Sequence, residues 1–311
     1  PGNLDGALIA ASFRNPRGLT VDANGDLYLA DYGNNLIRKI ALEADGAGDH
    51  GIVIGTPVGA DGAVTTIAGN GDAEAIDANG ILASFNGPYD VVQDSHGNLF
   101  VADSANSLIR KIDVNGEVTS FAGGGTYSGY CGAGTGSAAV LITPLGLTID
   151  ADDNLYVADA GCYAILKITP EAVLTIYAGS GAYNGYGSAD GTGSGARFYT
   201  PYDVAIDSSG NLYVADYYNH TIRKITPNKA VSTLAGSAGA AGTDDGTGSE
   251  ARFYRPSGLS LDEAGNIYVA DSINHRIRKV TSDGVVTTFA GSSAGYIEGT
   301  GTAAQIGRAH V

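Results

Sequence analysis

Asn211-Leu-Tyr-Val-Ala-Asp216-Tyr-Tyr-Asn219-His-Thr-Ile-Arg-Lys-Ile225 is written, with small changes, five times along this chain of 311 residues. The copies keep Leu27-Tyr-Leu-Ala-Asp31, Leu99-Phe-Val-Ala-Asp103, Leu155-Tyr-Val-Ala-Asp159 and Ile267-Tyr-Val-Ala-Asp271, and all but the third go on to an Ile-Arg-Lys run. Their terminal aspartates lie 72, 56, 57 and 55 residues apart. A fixed period of this size marks a supersecondary unit that buries its faces only against its neighbours. Working outward from Asn211, four short apolar stretches appear: Val204-Ala-Ile-Asp207, Leu212-Tyr-Val-Ala215, Thr221-Ile-Arg-Lys-Ile225 and Val231-Ser-Thr-Leu-Ala235. Between them stand Ser208-Ser-Gly-Asn211, Asp216-Tyr-Tyr-Asn219 and Thr226-Pro-Asn-Lys229, residues suited to tight turns. We name these strands a to d. Nothing in the copies has helical period over a useful length.

Four antiparallel strands per repeat predict the blade of an all-β β-propeller. The pattern Pro-x-Gly-Leu-x-x-Asp, then Gly-Asn-Leu-Tyr-Val-Ala-Asp-x-x-Asn-x-x-Ile-Arg-Lys-Ile, resembles the NHL repeat. The resemblance runs from residue 15 to about 291 and implies a propeller, usually of six blades, that serves as a binding or sensor module. Five modules are legible, near 15–69, 87–123, 143–179, 200–236 and 255–291, so the chain reads as a fragment of a six-bladed parent. One propeller domain is expected over 1–305. Residues 41–62 read as a hairpin extension of the first module. The end, 306–311, fits no copy of the repeat and reads as a non-native tail.

The composition narrows the function. A formal net charge of -16, with only 17 Lys and Arg, argues against a nucleic-acid partner, which needs clustered cations. No apolar run is long enough for a membrane span. Glycine, at 47 residues, goes with turns and long connectors rather than disorder, because strands are visible throughout. Cys131 lies in the connector entering module 3, and Cys162 replaces the Asn of that module's b–c turn. This placement in one blade predicts a disulfide, with two inert thiols as the alternative, and hence an extracellular, periplasmic or cell-surface location.

Up-and-down strand order puts the b–c turns and the d–a connectors on one face. Those connectors are long and rich in Gly and Tyr, so this face is where a ligand is expected. Around the prolines that open each module the copies diverge. Arg17, Tyr89, Asp90, Tyr202 and Asp203, together with Arg255 opening module 5, are the candidate ligand-binding residues. Tyr offers a flat face and a hydroxyl, and Asp offers acceptors for sugar hydroxyls or amines. The competing reading is that these side chains only fill the space between inner strands. Asp90 and Asp203 also raise a calcium site, although they come from modules that are not neighbours. The Asp-Gly-Thr-Gly runs at Asp190 and Asp245 look like partial calcium loops or, more simply, repeated tight turns. The five histidines do not converge as zinc ligands would, and no nucleophile elbow or phosphate loop is present. The Arg-Lys pairs of strand c are expected to pair with the strand-a aspartates Asp22, Asp94, Asp150, Asp207 and Asp262. The favoured function is a noncatalytic recognition scaffold for a protein or carbohydrate, with no resident cofactor. The alternative is a metal-dependent hydrolase or lyase of lactonase type, with its site in the central channel.

Overall fold

The computed structural model describes residues 2–42, 62–182 and 184–307. The first-module hairpin extension therefore lies almost wholly outside the described residues, as do His50, His310 and the last four residues. Among the described residues the fold has five antiparallel sheets and no α-helix. These sheets are the blades of a β-propeller. They fall into two compact units, one ending at Gly124 with two sheets and one beginning at Gly125 with three.

Each sheet has five strands, not the expected four. In the fourth sheet the order is Gly191–Thr192, Ala230–Gly236, Thr221–Ile225, Leu212–Asp216, Pro201–Ile206. The extra strand is the Gly-Thr of the connector, pairing Gly191 with Val231 and Thr192 with Ala230. Its counterparts are Gly6–Ala7, Ala78–Asn79, Gly134–Thr135 and Gly246–Thr247. Sequence periodicity misses it because two residues cannot show alternation. Its physical role is to cover part of the edge of strand d, whose N–H and C=O groups would otherwise be open to pairing with another chain. The six-bladed parent finds no match either, since the described residues hold five sheets.

The connector consequently does not stay on one face. It leaves strand d, runs down the outer edge as the fifth strand, turns through a 3-10 turn at Gly193–Gly195, and returns through buried Ala196 and Phe198. Only its two ends reach the b–c turns. The Asp-Gly-Thr-Gly runs are thus a strand and a turn, led by an aspartate with a separate task.

That task corrects the expected ion pairs. Buried Arg223 donates to Asp216 at 2.8 Å and to Asp190 at 2.7 Å, and its guanidinium lies 5.2 Å from the centre of the Phe198 ring. The same group recurs as Arg38 with Asp31, Asp5 and Phe13; Arg110 with Asp103, Asp77 and Phe85; and Arg278 with Asp271, Asp245 and Phe253. The arginine is thus held by the last residue of strand b and by the connector, and ties the fifth strand to its sheet. The strand-a aspartates instead close the a–b turn. Asp207 accepts from the Ser209 and Asn211 N–H groups, from Asn211 Nδ2 and from the Tyr213 hydroxyl. The lysines come closer to the expectation: Lys167 lies 3.9 Å from Asp150, whereas Lys39 pairs at 2.6 Å with the turn residue Asp26.

The third sheet breaks this pattern as a set. Leu166, Leu141 and Ala133 stand where the others have Arg, Phe and the connector Asp, and Cys131 is bonded to Cys162. Elsewhere the turn Asn donates to a connector carbonyl 32 residues back, as Asn219 does to Gly187 at 2.7 Å. Here a covalent link of separation 31 takes over that tether. Without a guanidinium, the Asp159 carboxylate accepts from four backbone N–H groups, those of Ile142, Thr143, Gly161 and Cys162.

Apolar contacts fill the space between neighbouring blades within each unit. Ala30, Ile37 and Ala68 of the first sheet meet Val91, Val101 and Ile112 of the second. Tyr156, Ile165 and Tyr177 of the third meet Val204, Val214 and Ile225 of the fourth. Both faces of strand b are therefore covered, which is why Leu212–Asp216 is buried without a break instead of alternating.

Candidate functional site

The carboxylate that ends strand b also positions the loops around it. Asp216 accepts from Arg223, from Asn219 Nδ2 at 2.7 Å and from the Tyr199 N–H at 2.7 Å. Tyr217 and Tyr218 N–H then donate to the carbonyls of Thr200 and Tyr199 at 3.3 and 3.1 Å. Asp271 repeats the arrangement with the Tyr254 N–H at 2.7 Å. The returning end of the connector is so fixed beside the b–c turn, and whatever side chains the two carry are brought together.

In the second unit those side chains are tyrosines. Tyr186 stacks on Tyr199 with ring centres 4.6 Å apart, and Tyr199 meets Tyr218 at 5.0 Å. Tyr218 packs edge-on against Tyr217 at 5.0 Å, and Tyr217 stacks on Tyr202 at 4.5 Å. Tyr163, from the b–c turn of the third sheet, extends the cluster to Tyr186 at 5.5 Å. Aromatic pairs at these spacings gain about 0.5–1.5 kcal/mol each beyond area burial, so the cluster is self-supporting. Its outer members remain in water: Tyr186 is 48% exposed, Tyr218 40% and Tyr254 36%.

Arg255 enters this cluster from the start of the fifth module. Its guanidinium lies 5.6, 5.1 and 5.8 Å from the ring centres of Tyr217, Tyr218 and Tyr254. Its N–H donates to His220 Nδ1 at 3.2 Å, so that nitrogen carries no proton. Burial, and after it the Arg255 charge, hold the His220 pKa below the ordinary histidine value. In the first unit Asn35 Oδ1 plays the same part, accepting from the Gly87 N–H at 2.9 Å.

Of the residues expected from sequence, Tyr202 and Arg255 join this platform. Arg17 and Tyr89, in the first unit, form a smaller group in which the guanidinium lies 5.3 Å from both the Tyr32 and Tyr89 rings. The aspartates do something else. Asp203 accepts from its neighbour Val204 at 2.8 Å and from Leu259 of the next sheet at 2.7 Å. A Cβ on Gly146 would lie 2.1 Å from Asp203 Oδ1, and one on Gly18 would lie 1.8 Å from Asp90 Oδ1. Asp in one sheet thus occupies the space that Gly leaves in the sheet before it, which is the space-filling reading. Among the described residues no three of His, Cys, Asp or Glu come together as a metal-holding group. The sequence reading did not single out Tyr163, Tyr186, Tyr199, Tyr217, Tyr218 and Tyr254. Tyr217-Tyr218 was the available signal, since the same turn reads Ser104-Ala105 and Ser272-Ile273 in modules 2 and 5.

A cavity of about 670 Å³ lies at the other end of the strands, lined by the a–b turns of the third and fourth sheets, with Asp150, Asp207, Lys167 and Tyr156 on its wall.

The model of the NHL repeat matches residues 13–40, 198–225 and 253–280. These three stretches are NHL repeats. Human NHL repeat-containing protein 2 is 30% identical over 89% of this chain, which spans 40% of that protein's length. An auxiliary nutrient binding protein from Bacteroides thetaiotaomicron superposes on 99% of this chain and 65% of its own, with TM-score 0.66 and 16% identity. Virginiamycin B lyase from Staphylococcus aureus superposes on 92% of this chain and 73% of its own, with TM-score 0.57 and 16% identity. Likeness to the two solved structures extends to the fold. No helix among the described residues is long and apolar enough to cross a membrane.

Proposed function

We propose that this NHL-repeat chain is a binding scaffold whose ligand, a carbohydrate or a protein, is held on the tyrosine platform of residues 163–255. The observation that carries the reading is the continuous run of ring contacts from Tyr163 through Tyr186, Tyr199, Tyr218 and Tyr217 to Tyr202, bordered by Arg255. Scattered exposed aromatics need no explanation, whereas a contiguous patch ordered by buried hydrogen bonds supports a recognition role. Rings already packed against one another lose little freedom when a ligand arrives. The disulfide suits an oxidising compartment, outside the cytosol.

A panel of immobilised oligosaccharides and a displayed peptide library, probed with the wild type and with Tyr186→Ala and Tyr218→Ala, tests this. Loss of an aromatic anchor costs about 1–2 kcal/mol, so bound probes should weaken roughly tenfold in each variant. Binders that are indifferent to both substitutions would place the ligand elsewhere.

A further inference from the structure

We infer that the ligand of the platform is an acidic oligosaccharide, with sugar rings laid on the tyrosines and a uronate carboxylate taken by Arg255. The inference rests on the platform reading above and adds the chemistry of what is bound.

Its first support is a contrast among the arginines. Arg38, Arg110, Arg223 and Arg278 each hold two carboxylates. Arg255 has three aromatic rings around it and, among the described residues, no carboxylate partner, in a chain of net charge -16. A guanidinium stacked on rings keeps its planar fork free, and that fork matches a carboxylate in two-point contact. A guanidinium with no carboxylate partner among the described residues, beside an exposed aromatic surface, is a local complement to an anionic group on a ligand.

Arg255 has φ 59°, in the left-handed region, as do Asn15, Gly87 and Thr200 at the matching positions of modules 1, 2 and 4, so this conformation belongs to the repeat and places the Arg255 side chain beside the b–c turn.

The choice of a sugar over a peptide follows from the backbone groups near the platform. The b–c turns and connector ends have spent their polar groups on each other: the Tyr199, Tyr217, Tyr218 and Tyr254 N–H groups and the Gly187 and Gly242 carbonyls are all engaged. A peptide that added as a strand would need free backbone partners. The exposed rings and hydroxyls of Tyr186 and Tyr218 suit the C–H faces and hydroxyls of a pyranose.

The test uses the full chain and three probes: a galacturonic acid hexamer, its fully methyl-esterified form, and hexaglutamate. The chain has 18 Tyr and no Trp, so tyrosine fluorescence reads the platform, with calorimetry alongside. The acid hexamer should bind about tenfold to a hundredfold more tightly than the ester, as loss of a hydrogen bond to a charged group predicts. Arg255→Gln should reduce acid binding to the level of the ester and leave the ester unchanged. Arg255→Gly, which suits the left-handed backbone, should do the same, so that a folding defect in one variant does not decide the matter. Equal binding of acid and ester, unaffected by Arg255→Gln, would overturn the inference while leaving the platform intact. Binding of hexaglutamate alone would overturn the sugar and keep the binding surface. If none of the three binds, the inference falls, and the Tyr186→Ala and Tyr218→Ala panel judges the platform separately.

Discussion

Opening the Cys131–Cys162 bond should destabilise the protein more than loss of any single hydrogen bond in the repeats. The third sheet has no substitute for it: Leu166, Leu141 and Ala133 occupy the places of the arginine, phenylalanine and aspartate that tie the connector in the other four sheets. With a sequence separation of 31, the chain-entropy relation gives about 3.7 kcal/mol at 25 °C. Cys131→Ala with Cys162→Ala should lose about that much. Cys131→Ala with Cys162→Asn restores the residue that Asn219 is in the fourth sheet, and should recover about 1 kcal/mol through the tether to the connector. Urea unfolding of the oxidised, reduced and doubly substituted proteins, followed by tyrosine fluorescence, reads these differences, with thiol titration fixing the redox state of each sample. Hydrogen exchange should show that the protection lost is concentrated in the connector around residues 124–143. Coincident urea midpoints for the oxidised and reduced protein would refute the tether argument.

Two other outcomes follow from the same geometry. Arg223→Ala leaves the fully buried Asp216 without its cation and should cost about 3–5 kcal/mol in thermal or urea unfolding, whereas Arg223→Leu combined with Asp190→Ala, imitating the third sheet at those two places, should cost less. His220 is held below the ordinary value of 6.5, so the folded protein binds its proton less readily than the unfolded chain does. Stability from this group is therefore complete above 6.5 and is lost as pH falls through the folded value. His220→Asn supplies the acceptor that Asn35 gives in the first module and should flatten the stability curve between about pH 7 and pH 5; an unchanged slope would assign the pH dependence to other groups.

Sequence carried the repeat, the strands a to d and the disulfide, because each depends on patterns within a few residues or on a paired departure from the repeat. It did not carry the fifth strand, which is two residues long and defined only by its partner. Arg223 was assigned to the wrong aspartate for a related reason. Asp207 is near it in the repeat pattern, but Asp190 lies 33 residues upstream in a connector whose path down the sheet edge has no local signature. The platform was half legible. Tyr202 and Arg255 stood out as variable positions beside the opening prolines, whereas Tyr186 and Tyr218 meet only through Tyr199, which Asp216 holds in place.

Every sheet is drawn from one uninterrupted stretch of chain, from its two-residue edge strand to the end of strand d, as in Gly191–Gly236. A ribosome therefore releases each blade whole, and in the four blades that have a buried arginine that side chain can find both carboxylates before the following repeat has been synthesised. Gene duplication has equally convenient seams in the glycine-bearing segments that follow strand d, near Gly124, Gly181 and Gly239. Copying from seam to seam adds a blade together with its own edge strand, and the tyrosines and Arg255 on the turns are then free to diverge without disturbing what holds the sheet together.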